Sequence, residues 1–127
     1  MSHLTNLVKR HRVVFTDKFM AWFPDNEHVY LLFEYLADKL WASGKQHYSS
    51  RTIGEKMRFD YGIVSVNDTF KINNIYTPDL GRLYVLKHPE RMMLFSYRKQ
   101  RQPDFVEYVC KKFGLTIVPA EIFRRKK

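Results

Sequence analysis

Arg98, Lys99, Arg101, Lys111, Lys112 and the closing Arg124, Arg125, Lys126 and Lys127 form the densest set of side chains here with a shared chemistry, the binding of phosphate. Residues 96–127 hold nine basic and three acidic side chains. Residues 1–15 add Lys9, Arg10 and Arg12 with no acid, whereas residues 16–95 carry ten charges of each sign. The net charge of +9 therefore lies wholly in the two ends of a 127-residue chain. Charge distributed this way points to a polyanion met by the ends. The competing reading is that terminal Lys and Arg only keep the chain in solution.

A second set lies in HYSSRTIGEKMRF, residues 47–59, which reads as a short basic helix. In a groove-binding reading Ser49, Ser50 and the free amides of the helix start touch phosphates, and Arg51, Lys56 and Arg58 reach bases or backbone. Lys71 would then lie on a hairpin wing, and Asn73 and Asn74 would offer amides to an adenine edge. Each has a plainer alternative. Arg51 and Arg58 suit a solvated helix face, and the asparagines suit a corner in which short amides bond neighbouring backbone. For Asn73 and Asn74 the local reading weighs more.

Catalytic and metal-binding patterns are weaker. The histidines, His3, His11, His28, His47 and His88, are singletons without the spacing that puts two ligands on one helix face. Cys110 alone makes neither an intrachain disulfide nor a zinc set. Pro-Asp pairs occur at 24–25, 78–79 and 103–104, but none continues into the acid-spacer-lysine arrangement of a metal-dependent nuclease. With five glycines there is no phosphate loop, and no serine sits in a nucleophile elbow. We therefore assign no catalytic residue, metal or cofactor. No apolar run reaches the roughly 18 residues of a membrane span, and no signal-peptide h-region follows the first basic residues. The expected setting is the cytoplasm.

The elements that must position these residues read as follows. Val29, Leu32, Phe33, Leu36 and Leu40 make a helical stripe over 27–43, ended by Gly44. Tyr30, Leu31, Tyr35 and Trp41 make its other face too apolar for water alone, so it is central or part of an interface. A short helix follows at 50–59. Alternation in Val64, Val66, Phe70 and Ile72 about Asn67–Asp68 predicts a β-hairpin. Thr77, Pro78 and Asp79 mark a helix start with Thr77 as cap, and Pro89 stops that helix after His88. Residues 92–97 read as a further strand, 103–113 as a last helix closed by Gly114, and LTIVP as an edge strand. Residues 1–23 show apolar spacing without one consistent face.

Residues 44–98 resemble a family of small, uncharacterised phage and prophage proteins. The resemblance rests on Gly44-Lys45-Gln46-His47-Tyr48-Ser49, Arg58-Phe59, Phe70-Lys71-Ile72-Asn73-Asn74, Tyr76-Thr77-Pro78, His88-Pro89-Glu90 and Phe95-Ser96-Tyr97-Arg98. The chain departs from the pattern at Ile75 and at Leu80-Gly81-Arg82, and its basic C-terminal extension lies outside it. The resemblance implies a phage or mobile-element origin and carries no active site with it.

Together these readings predict an α+β, helix-dominated fold: winged-helix-like helices plus a β-hairpin, with a C-terminal helix and a basic tail. Residues 1–118 would form a single domain and 119–127 the tail. The expected partner is double-stranded DNA, held by phosphates. A protein partner or a homodimer, with Trp22, Tyr30, Tyr35 and Trp41 as anchors, is the alternative.

Overall fold

The computed structural model of the protein describes residues 3–44, 48–61, 76–95 and 103–114. Its N-terminal part is broken into short pieces. Helix α1, His3–Arg10, leads through a 3-10 turn at Arg12–Val14 into α2, Asp17–Trp22, and a second 3-10 turn at Phe23–Asp25. Thr16 starts α2: its Oγ1 accepts the Phe19 N–H at 3.1 Å, and Asp17 lies in the positive first turn. Phe15, Phe19 and Phe23, four residues apart, stack at 5.4 and 5.1 Å between ring centroids and are buried. This aromatic column seats the N-terminal segment on the core.

Helix α3, Glu27–Ala42, buries Val29, Tyr30, Phe33, Leu36 and Ala37. Gly44 follows at φ 85°, the left-handed geometry that closes a helix without a Cβ clash. Helix α4, Ser50–Tyr61, turns Ile53, Gly54 and Met57 inward, and its most extensive partner is α5, Thr77–Lys87. Two glycines permit that approach. A Cβ at Gly54 would lie inside the van der Waals shell of Thr77 Cγ2, and one at Gly81 would stand 3.2 Å from Ser50 Cβ. Thr77 is thus the first residue of α5, its methyl packed under α4, while Tyr76 occupies the cap position expected of Thr77. Asp79 is buried and accepts from Thr16 Oγ1 at 3.0 Å and Thr16 N–H at 3.3 Å, tying α5 to the start of α2. Helix α6, Pro103–Phe113, completes the set.

The α+β, winged-helix-like expectation is corrected. Among the described residues regular structure is helical throughout, and the one β-type contact is an isolated parallel bridge between Tyr48 and Phe95, with Tyr48 N–H donating to Leu94 O at 2.6 Å. The strand expected from residue 92 is a 3-10 turn over Pro89–Leu94. His88 leaves helical geometry, Pro89 cannot continue α5, and the chain coils tightly with Met92, Leu94 and Phe95 buried. A short apolar run such as 92–95 reads equally as a buried strand or as a buried turn. The hairpin expected over 64–72 and the edge strand LTIVP lie outside the described residues.

Candidate nucleic-acid interface

Helix α6 buries Phe105 and Val109 and reaches the N-terminal segment through Tyr108 and Phe113, both of which meet His11. His11 Nδ1 and the Tyr108 hydroxyl are hydrogen-bonded at 2.6 Å, their rings edge to face at 5.8 Å. Arg82 of α5 holds the same junction. Its guanidinium donates to Val14 O at 2.5 Å and lies 4.9 Å from the Phe105 ring centroid. His11 is only 7% exposed, and burial, followed by the Lys112 and Arg10 cations, holds its pKa below the ordinary imidazole range. The ring is neutral at pH 7 and does not add to the charge around it.

That contact joins the basic segment after α1 to α6, which carries Lys111 and Lys112. Arg10 and Lys112 flank His11. Lys9 shares a shallow cleft with His3, Asn6 and Arg10, and another with Arg12, Thr5 and Met20. Lys9, Arg10, Arg12, Lys111 and Lys112 are all exposed, and among the described residues none lies within ion-pair distance of a carboxylate. Lys9, Arg10, Lys111 and Lys112 occupy the last turns of α1 and α6, where cations offset the negative helix end. Each end amounts to about −0.5 charge, so two ends absorb about one of the five cations. Glu107, one turn before Lys111, offsets at most one more. An excess of about +3 is left facing solvent.

The basic helix singled out in the sequence is arranged differently. On α4, Arg51 Nε stands 3.4 Å from Glu55 and Lys56 Nζ 2.8 Å from Asp60, while the Arg58 guanidinium lies 5.5 Å from the Phe59 ring centroid. Ser49 Oγ accepts the Arg51 N–H at 3.2 Å and so starts the helix, and Ser50 packs at the α5 crossing beside Gly81. Two of the three α4 cations therefore have counter-charges one turn away. Of the remaining candidates, Lys111 and Lys112 belong to the α1–α6 corner. Lys71, Asn73, Asn74, Arg98, Lys99, Arg101, Arg124, Arg125, Lys126 and Lys127 lie outside the described residues. His11 and Tyr108, which join the corner, were not singled out by sequence; 97 positions separate them, and no local pattern links them.

A second polar cluster joins α3 to the end of α5. Glu34 receives Lys87 Nζ at 2.8 Å and His88 Nε2 at 3.1 Å, and Asp38 receives the Tyr84 hydroxyl at 2.7 Å and Arg91 at 2.9 Å. Two carboxylates one turn apart beside a histidine and a tyrosine have the residue types of acid–base catalysis. Burial opposes the Glu34 charge, but the Lys87 and His88 hydrogen bonds outweigh it and hold the pKa below the usual range. Burial and Asp38 push the Tyr84 phenol up, away from ionisation. Groups shifted in these directions are poor bases at neutral pH, and the cluster acts as a brace between helices. Among the described residues no group of three or more His, Cys, Asp or Glu side chains could hold a metal ion, and no helix is long and apolar enough to cross a membrane.

Comparison with known proteins returns no match: no family model, curated protein or solved structure is similar to the chain.

Proposed function

We propose that this protein binds DNA through its phosphates at the corner where α1 meets the end of α6. The observation that carries the reading is the His11–Tyr108 contact, which joins the segment bearing Lys9, Arg10 and Arg12 to the helix bearing Lys111 and Lys112, with Arg10 and Lys112 both acting on His11. Phosphate contacts position a protein on DNA without reading its sequence, and the pairing of Arg51 and Lys56 argues against α4 as a base reader. The motif resemblance supports a phage or mobile-element setting, in which such a protein acts as an accessory or regulatory DNA binder. Titrating the full chain into labelled duplex DNA over a salt series tests the proposal. Five phosphate contacts give a log–log salt slope of about −4.5 or steeper. No binding at low salt, either of the duplex or of its separated strand, would overturn it.

A specific observation favours one other reading, a protein partner or second copy. Leu31 and Tyr35 on α3 are 54% and 53% exposed, and Phe59 and Tyr61 on α4 are 70% and 47% exposed. Leu36, Leu40, Tyr48, Ile53 and Tyr61 line a groove between the two helices. Absence of DNA binding together with concentration-dependent mass in solution would favour it.

A further inference from the structure

The basic corner also carries apolar side chains that phosphate binding does not explain. Phe113, directly after Lys112, is 38% exposed, and its ring lies 6.3 Å from that of His11 at an interplanar angle of 39°. Val13, directly after Arg12, is 75% exposed. The Lys112 ammonium stands 5.8 Å from the Tyr108 ring centroid, so cation and ring surfaces alternate across the junction. A duplex keeps the faces of its bases stacked inside and presents phosphates, which would leave Phe113 and Val13 in water. An unpaired strand presents both phosphate and free base faces. Surfaces that bind single strands without sequence preference combine the same two parts, a positive track and aromatic platforms on which bases stack.

We infer that the α1–α6 corner takes single-stranded DNA in preference to duplex, with an unstacked base laid on Phe113 and its flanking phosphates on Lys112, Arg10 and Arg12. This rests on the DNA-binding reading and narrows it. Phe113 supplies the exposed ring, His11 lies against it, and the His11–Tyr108 hydrogen bond keeps the platform beside Arg10 and Lys112.

The test is fluorescence anisotropy with one labelled oligonucleotide of about 20 nucleotides, longer than the roughly 4–16 nucleotides of a single-strand site on one small domain. It is offered alone and annealed to its complement, in the same buffer, to the full chain and to Phe113→Ala and Phe113→Leu. The single strand is expected to bind more tightly. Phe113→Ala should weaken single-strand binding by about 5- to 150-fold, the range of one base–aromatic stack, and leave duplex binding nearly unchanged. Phe113→Leu keeps an apolar contact with His11 but has no π-face; it should behave as the alanine variant does on the single strand, which separates loss of stacking from loss of fold. Tighter duplex binding, equal weakening of both forms by Phe113→Ala, or full single-strand affinity in Phe113→Leu would overturn the inference. Failure of both forms to bind at low salt would instead overturn the underlying DNA-binding proposal.

Discussion

Replacing Tyr108 by Phe removes one hydroxyl and tests the joint on which the corner depends. His11 would keep its buried place while Nδ1 lost its partner, and an unsatisfied buried polar group costs about 1–3 kcal/mol. His11→Leu/Tyr108→Phe removes both halves and leaves an apolar contact, so it should lie closer to wild type than the sum of the single changes. A coupling of about 1 kcal/mol or more between the two sites is expected. The same pair predicts a pH response. The folded pKa of His11 is lowered from the model-peptide value of 6.5 by burial, Lys112 and Arg10. As pH falls through 6.5 the unfolded chain takes the proton first, so the contribution of His11 to stability is complete above 6.5 and declines below it. That decline cannot exceed about 1.4 kcal/mol per pH unit for a single group. Urea denaturation followed by circular dichroism across this range reads both effects. Additive single substitutions, or an acid decline unchanged in the variant lacking His11, would refute the reasoning.

Other predictions concern the helices that hold the corner. Gly54→Ala should destabilise by up to about 2 kcal/mol, because overpacking against Thr77 of about 1–3 kcal/mol outweighs a helix-propensity gain of about 1 kcal/mol. In a Thr77→Ser background, which lacks Cγ2, the same change should stabilise; thermal melts of the four proteins check the sign. Arg51→Gln should leave the affinity for DNA within about twofold and the salt slope unchanged, since Glu55 one turn away already offsets the Arg51 charge; a slope reduced by about 1 in the salt titration would return α4 to the interface. Arg91→Ala removes the guanidinium that bonds Asp38 and Tyr84 and lies 5.6 Å from the Trp41 ring centroid. A loss of about 1–3 kcal/mol is expected by denaturation, with no change in DNA binding.

Much of the helical frame was legible. Apolar spacing located α3, Pro78 located the start of α5, and Gly114 the end of α6, because long helices with an apolar face advertise their period. The N-terminal segment was not legible for the opposite reason: α1 and α2 are short and each is followed by a 3-10 turn, so no 3.6-residue period lasts long enough to register. Thr16–Asp17 was the local signal that could have marked α2. The strand expected from residue 92 is a 3-10 turn because the short apolar run 92–95 has no period that separates a buried strand from a buried turn. For the site, the cations were evident in the sequence and their grouping was not. The solvated-face reading of Arg51 has a local basis in Glu55, and Asp60 does the same for Lys56, each acid standing four positions on. The joining of Lys9, Arg10 and Arg12 to Lys111 and Lys112 depends on a tertiary contact that no local pattern encodes.

The central claim is that the cations of α1 and α6 act as one phosphate-binding surface. The measurement that bears on it most directly is the salt dependence of DNA affinity for the full chain, Lys9→Gln/Arg10→Gln and Lys111→Gln/Lys112→Gln. The account predicts that each pair of changes lowers the log–log slope by about 1.8, with both pairs weakening binding at low salt. A slope unaltered by either pair would contradict it.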